Sequence, residues 1–278
     1  MKKGLIRLLF LICLASFTLS FSFERVVSAP VEKQRLAYVV ETKEGWEWYT
    51  VCSDGSNKSP GLSGGINKRK DWSCDFSWSP DGNKVMLTVF PEQETGRIIT
   101  VNPDGTGLQY LTDKTANCRQ PLWAPNGKSI AYIRLTGAAG QIWIMNPDGT
   151  GKKQMAETDQ DCRLLSWSPD SQMICISNIA GTSIITLDSS VCKLLTEKAA
   201  TEAAWLPNNR ELILTASGLF KVDVTNGQVQ QIPPLTDPDN SLPADLDTCP
   251  SLSSDGKKVV FASQRDLYNE YQGHPTQI

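Results

Sequence analysis

A six-residue segment that occurs twice constrains the fold of this chain most strongly. "NPDGTG" occupies residues 102–107 and again residues 146–151, so the two copies are 44 residues apart. Each copy follows a short apolar run, "RIITV" in the first case and "QIWIM" in the second. The same turn at a fixed interval indicates that a whole structural unit is repeated.

The repeat extends over most of the chain. Five stretches align with one another: "FSWSPDGNKVML", "PLWAPNGKSIAY", "LSWSPDSQMICI", "AAWLPNNRELIL" and "PSLSSDGKKVVF". The Asp or Asn of their turns falls at positions 81, 126, 170, 208 and 255, in steps of 45, 44, 38 and 47 residues. A period near 44 residues is typical of repeats that contain four strands per unit.

Each unit contains four short apolar runs separated by turn residues of the Pro, Asp, Asn and Gly type, which predicts an antiparallel meander. A meander that is apolar on both faces cannot be stable alone, and stacking the units around an axis buries both faces. The sequence therefore predicts an all-β, six-bladed β-propeller. We expect the recurrent tryptophans to pack between blades: Trp78, Trp123, Trp167 and Trp205.

The predicted blades start near residues 35, 75, 120, 164, 203 and 249. The first one differs from the others, because "RLAYVV" at residues 35–40 matches the second strand of a unit. We therefore expect the chain to enter the ring at a second strand. The inner strand of blade one would then have to come from the far end of the chain.

These repeats resemble a known family. "W-S-P-D-G-x-K", an apolar strand and "W-I-M-N-P-D-G" are similar to the repeat of the TolB-type propeller over residues 35–266. The resemblance implies the fold but says little about function, because the same blade serves binding proteins, lyases and peptidases. It also implies that the family's N-terminal α/β domain is absent and that the last blade and the ring closure are incomplete. A truncated or frameshifted ending explains this better than an open ring, since open rings leave unpaired strand edges.

Residues 1–29 have the pattern of an export signal, with Lys2, Lys3 and Arg7 ahead of an apolar stretch and small residues before a cleavage site after Ala29. An uncleaved membrane anchor is the alternative. The propeller would then span residues 30–278 and lie in the periplasm or outside the cell. The signal carries a net charge of +3, which leaves −6 on the remainder. That charge favours neither nucleic acid nor a lipid surface, so we expect membrane contact only through an uncleaved signal.

The chain contains one histidine, His274. Nucleophilic triads and most zinc sites need a positioned imidazole, so the sequence predicts a protein that is not an enzyme and has no cofactor or bound metal. Several carboxylates fall in loops that lead into inner strands, where they would form an acidic channel mouth: Asp75, Asp161, Glu202, Asp245 and Asp247. A solvated acidic rim is the simpler interpretation, and a site for a hard cation is the alternative.

Four cysteines share the entry of an inner strand: Cys74, Cys118, Cys162 and Cys249. Cys118 could form a disulfide with Cys74 or with Cys162 on a neighbouring blade, since export favours oxidation. Buried free thiols are the alternative, and a ring of metal-binding cysteines is a third interpretation.

Two functions remain open at this point. One is an exported, monomeric, non-catalytic scaffold whose acidic mouth binds a protein segment, a peptide or a glycan. The other is a propeller-type lyase or hydrolase that acts on an extracellular polymer through carboxylates.

Overall fold

A computed structural model describes residues 27–28, 35–42, 45–60, 76–90, 95–137, 139–159, 161–232, 247–252 and 258–263. Every regular element in these ranges is a β-strand. None of the described residues forms a helix that is long and apolar enough to cross a membrane.

The strands form six sheets, which we number as blades in chain order. Blade one contains β1 (Val27–Ser28), β2 (Arg35–Thr42), β3 (Gly45–Cys52) and β4 (Ser59–Pro60); blade two contains β5 (Phe76–Trp78), β6 (Val85–Val89), β7 (Arg97–Val101) and β8 (Gln109–Tyr110); blade three contains β9 (Asn117–Trp123), β10 (Ile130–Thr136), β11 (Ala139–Met145) and β12 (Lys153–Asp159). Blade four contains β13 (Arg163–Trp167), β14 (Met173–Asn178), β15 (Gly181–Thr186) and β16 (Cys192–Thr196); blade five contains β17 (Glu202–Trp205), β18 (Glu211–Thr215), β19 (Leu219–Asp223) and β20 (Val229–Gln231); blade six contains β21 (Asp247–Leu252) and β22 (Val259–Ser263).

Each of the first five sheets is a four-stranded antiparallel meander in sequence order. The first strand of every blade contacts the first strand of the next, from β1 through β5, β9, β13 and β17 to β21. These first strands are therefore the inner strands of the propeller. The prediction of an all-β propeller with four-stranded antiparallel blades is confirmed, and blade six has two strands within the described residues.

The prediction that blade one lacks an inner strand is wrong. Val27 pairs with Ala37 and Ser28 pairs with Leu36, so β1 occupies the inner position of this blade. The sequence pattern did not reveal β1 because two residues are too few to show an alternation. Both residues lie inside the predicted export signal, and cleavage after Ala29 would remove this strand.

The repeated hexapeptide has a structural role in both copies. The Asp104 carboxylate accepts hydrogen bonds from the backbone N–H and the hydroxyl of Thr106, at 3.0 and 2.7 Å, and Asp148 has the same arrangement with Thr150. The final glycine, Gly107, has a φ of +66°, and a Cβ there would lie 2.7 Å from the side-chain nitrogen of Asn102. Glycine is therefore required at this position of the turn.

Apolar side chains fill the space between adjacent blades. Between blades two and three, Met86 and Ile98 pack against Ile130 and Tyr132, and all four are at most 1% exposed. Similar clusters lie between blades one and two, three and four, and four and five. Because these clusters cover blades two, three and four on both faces, the stability of each of these blades depends on its neighbours.

Polar side chains connect the same blades on the face that carries the "SPDG"-type turns. Ser171 and Asn209 stand where other blades have a glycine, and both adopt a positive φ, of 62° and 55°. The Ser171 hydroxyl accepts a hydrogen bond from the Asn126 backbone N–H of blade three, at 3.0 Å. The Asn209 side chain accepts one from the Asp170 backbone N–H of blade four, at 2.9 Å. These departures from the repeat therefore link neighbouring blades.

The Ser171 hydrogen bond can be tested with two substitutions. Ser171→Ala keeps the left-handed backbone and loses the bond, so we expect it to lower the free energy of unfolding by about 1 kcal/mol. Ser171→Gly also loses the bond but removes a backbone strain of about 1–2 kcal/mol. Urea unfolding should therefore rank the glycine variant above the alanine variant. Equal destabilisation of the two variants would contradict the strained-backbone assignment.

Three of the four recurrent tryptophans are buried: Trp78, Trp167 and Trp205. Trp123 is partly buried. The indole N–H of Trp167 donates a hydrogen bond to the Leu122 carbonyl of blade three, at 2.9 Å. The indole nitrogen of Trp205 is buried and has no hydrogen-bond partner among the described residues.

This difference predicts unequal costs for the same substitution. Trp167→Phe and Trp205→Phe remove similar apolar area, but only the first leaves a partly buried carbonyl without this donor. We expect Trp167→Phe to be the more destabilising by about 1–2 kcal/mol in thermal or urea unfolding. A larger cost for Trp205→Phe would show that this indole has a partner that the described residues do not include.

Candidate functional site

The strand directions give the propeller two distinct faces. The "SPDG" and "NPDG" types of turn lie together on one of them, where Lys84 Nζ donates to the Asn102 side-chain oxygen at 2.8 Å. We call this the turn face. The opposite face, where each inner strand starts, we call the entry face. It surrounds one end of the ring of inner strands, which is the geometry that in propellers presents a channel mouth to a ligand.

The predicted carboxylates can be placed in part. Asp161 is exposed and lies two residues before the inner strand of blade four, while Glu202 is partly buried and begins the inner strand of blade five. Asp247 begins the inner strand of blade six. Because β13 contacts β17 and β17 contacts β21, these three positions lie at the same end of neighbouring strands. Asp75 and Asp245 lie outside the described residues.

Basic side chains occupy the same face. Three exposed basic residues lie in the loops or strand starts at the entry of the inner strands of blades three, four and five: Lys114, Arg163 and Lys198. Lys198 Nζ lies 4.3 Å from the centre of the Phe220 ring, a cation–π contact. The described part of the entry face thus carries basic as well as acidic side chains.

Cys118 and Cys162 are not joined by a disulfide in the structure. Cys118 packs in the apolar cluster between blades two and three, and Cys162 packs in the cluster between blades three and four. The two thiols therefore lie on opposite sides of blade three, which is the physical reason that this predicted pair does not form. The Sγ atom of Cys162 lies 3.9 Å from the Arg163 carbonyl. The other predicted partner, Cys74, lies outside the described residues.

Burial controls the chemistry of these thiols. It raises the pKa of Cys118 from 9.0 to about 11, against a smaller lowering by Arg134. Burial also raises the pKa of Cys175, which is fully buried. The thiolate is the reactive form of cysteine, so both residues are poor nucleophiles near neutral pH.

Alkylation with iodoacetamide tests this assignment. At pH 8 in the folded protein, we expect the exposed Cys192 to react well before the buried Cys118 and Cys175, with peptide mass spectrometry as the measurement. All of the cysteines should react at similar rates in urea, which serves as the control. Equal rates for Cys118 and Cys192 in the folded protein would refute the burial of Cys118.

Within the described ranges, no three His, Cys, Asp or Glu side chains come together in a way that could hold a metal ion.

The inner strand of blade three has a backbone feature that the sequence pattern does not reveal. Gln120, in the inner strand of blade three, has a φ of +51°, and β9 bulges there against β10. Its side-chain oxygen accepts a hydrogen bond from the Leu164 N–H of blade four, at 3.1 Å. The equivalent stretch of blade four, "CRLLSW", has the same length as "CRQPLW", so the length of the repeat gave no signal for this feature.

Comparison with protein families identifies the repeat. A family model described as the TolB beta propeller domain matches residues 63–233, more than half of the chain. This chain belongs to the TolB β-propeller family. Solved structures agree on the fold. TolB from Acinetobacter baumannii superposes with a TM-score of 0.59 at 20% identity, over 83% of this chain and 58% of that one. A putative TolB from Agrobacterium tumefaciens gives 0.58 at 17% identity, over 75% of this chain and 79% of that one.

Two curated relatives of this TolB-family propeller are named dipeptidyl-peptidase 5. The one from Porphyromonas gingivalis is 31% identical over 94 residues, which cover 32% of this chain and 14% of the relative. The one from Porphyromonas endodontalis is 40% identical over 63 residues, which cover 21% of this chain and 9% of the relative. The matches thus span a small part of each relative's length.

These relatives correct the prediction that the protein is not an enzyme. Both carry the name of a peptidase, and the scarcity of histidine in this chain does not outweigh that relationship. The argument from histidine failed because it treated the chain as the whole catalytic unit, whereas a propeller can belong to an enzyme without supplying its catalytic groups.

Proposed function

We propose that the entry face of this propeller binds a segment of polypeptide chain, and that this binding serves peptide hydrolysis. The supporting observation is the convergence of the inner strands on one face, with carboxylates at the starts of neighbouring strands β13 and β17. Loops that a rigid scaffold positions around an opening are the usual location of ligand contacts in such folds.

Asp161 and Glu202 are the described residues that favour a basic segment. Asp161 is exposed. Glu202 is partly buried, and it pairs with Thr215 of the neighbouring strand β18. A carboxylate near a low-dielectric wall attracts a cation more strongly than a fully solvated one does. A lysine or arginine of the bound segment would therefore lie near Glu202. Arg163, two residues after Asp161 in the chain, limits how negative the surroundings of Asp161 are.

The relationship to known proteins favours a peptide ligand over a glycan ligand. The curated relatives are named for an activity on peptides, and among the residues described on the entry face no exposed tryptophan or tyrosine is available to stack on a sugar ring. Hydrolysis by the chain itself is the second candidate, and it rests on the same relatives.

Peptide binding can be measured by fluorescence anisotropy with two labelled decapeptides, one rich in lysine and one rich in glutamate. We expect the lysine-rich peptide to bind and the glutamate-rich one not to bind. Glu202→Gln and Asp161→Asn should each weaken binding about fivefold, in line with the loss of one partly screened ion pair. Asp188→Asn, which removes an exposed carboxylate of the turn face, is the matched control.

Two results would contradict the proposal. One is the absence of binding to either peptide, and the other is binding that Asp188→Asn weakens while Glu202→Gln and Asp161→Asn do not. Release of dipeptides from chromogenic substrates, measured on the same preparation, separates hydrolysis by this chain from binding alone.

We also propose that the protein is exported to the periplasm or beyond the cell. The charged start, the apolar stretch and the small residues before Ala29 support this location. Fractionation of the producing cells, with detection of residues 163–232, tests it, and recovery of the protein solely from the cytoplasm would contradict it.

A further inference from the structure

The hairpin between β14 and β15 places a large aliphatic side chain on the entry face. Strand β13 runs from the entry face to the turn face, so β14 returns and its hairpin with β15 lies on the entry face. Asn178 pairs with Gly181, which leaves a tip of two residues, Ile179 and Ala180. Ile179 is 78% exposed, more than any other large hydrophobic residue that the structure describes. Its side chain is therefore available to a ligand of the entry face.

Local contacts fix the position of this tip. The Asn178 side-chain oxygen accepts a hydrogen bond from the Ala180 backbone N–H, at 3.0 Å, which forms a turn of the Asx type. Gly181 has a φ of +132°, and a Cβ there would clash with the Thr196 carbonyl at the end of β16. The exposure of Ile179 therefore comes from a defined turn that lies against the outer strand of its own blade.

Two connections between blades flank the tip, and each leads to one of the carboxylates of the entry face. The first connection joins blade three to blade four and contains Asp161. The Asn178 side-chain amide donates to the Thr158 hydroxyl at 3.5 Å, directly before this connection begins. The tip thus lies beside the chain that carries Asp161.

The second connection joins blade four to blade five and ends at Glu202. The Thr182 hydroxyl, at the base of the hairpin, donates to the Lys198 carbonyl at 2.7 Å. The same hydroxyl accepts a hydrogen bond from the Ala200 backbone N–H, at 3.1 Å. Ile179 therefore projects from the entry face between the connection that contains Asp161 and the one that leads to Glu202.

The equivalent hairpins of the neighbouring blades have small residues at their tips. Blade three has Gly137-Ala138 and blade five has Ala216-Ser217-Gly218. The repeat therefore does not require a large side chain here, and the exposure of Ile179 shows that it contributes little to packing. A single exposed aliphatic residue needs no explanation by itself, but this one lies between two carboxylates on the face that we propose to bind a peptide.

We propose that Ile179 is a specificity-determining residue of the entry face, which favours a bound segment with an aliphatic side chain close to its basic residue. This inference rests on the proposed binding of a basic polypeptide segment. Asp161 and Glu202 attract the cation, while contact between Ile179 and a leucine or isoleucine removes apolar surface from water. Neighbouring residues of an extended segment are about 3.3 Å apart, so one short segment can make both contacts.

Fluorescence anisotropy with two labelled, lysine-rich decapeptides tests this selection. The peptides have the same lysines and differ only at two central positions, which are leucine in one peptide and serine in the other. We expect the leucine peptide to bind about fivefold more tightly, in line with the partial burial of one aliphatic side chain.

Substitutions assign the preference to one residue. Ile179→Ser should abolish the preference for leucine and leave the affinity for the serine peptide unchanged, while Ile179→Leu should retain the preference. Val191→Ser, which removes a side chain that is 54% exposed at the turn face, is the matched control and should also retain it. Glu202→Gln should weaken both peptides by the same factor, because both carry the lysines.

The possible failures are distinguishable. Equal affinity of the wild-type protein for the two peptides, or a preference that Ile179→Ser retains, would overturn this inference and leave the proposed binding of basic segments intact. Failure of both peptides to bind would overturn the proposed function and this inference together. A dimer in analytical ultracentrifugation that Ile179→Ser dissociates, with unchanged peptide affinities, would assign Ile179 to a contact between two copies instead.

Discussion

Burial of a sheet between its two neighbours is the constraint on which this structure depends. A four-stranded meander such as blade three has Ala131, Ile133 and Ile142 on the side of blade four and Ile130 and Tyr132 on the side of blade two. Exposure of either apolar side to water is unfavourable. The blades therefore stack into a ring, in which each blade removes its neighbours' apolar surface from solvent. Inter-blade hydrogen bonds then fix the relative position of sheets that apolar packing alone would leave free to slide.

The strands and turns of the fold could be predicted because they repeat. Period-2 apolar runs and Asp-Gly turns recur near every 44 residues, and the structure has the second and third strands of blades two to five where the pattern predicted them. The inter-blade hydrogen bonds of Ser171 and Asn209 could not be predicted, because each occurs at a departure from the repeat. The strand Val27–Ser28 was missed because it is too short to show a pattern.

The candidate site was predicted less well than the fold, for related reasons. Position along the repeat assigns Asp161 and Glu202 to the entries of inner strands; in the structure Asp161 lies two residues before β13 and Glu202 begins β17. It could not show that Cys118 and Cys162 face different inter-blade spaces, because that depends on which side of a sheet each residue occupies at a strand entry. The prediction that the protein is not an enzyme was wrong because it rested on the composition of one chain. Activity can depend on groups that a binding scaffold does not itself carry.

Amide hydrogen exchange, resolved by blade, is the measurement that most directly tests the dependence of each blade on its neighbours. Opening free energies should follow the number of covered faces. We predict the slowest exchange in the strands of blades three and four, which have a packed neighbour on both sides, and clearly faster exchange in residues 35–52 and 247–263. Equal protection in all six blades, or the slowest exchange in blade one, would contradict this account.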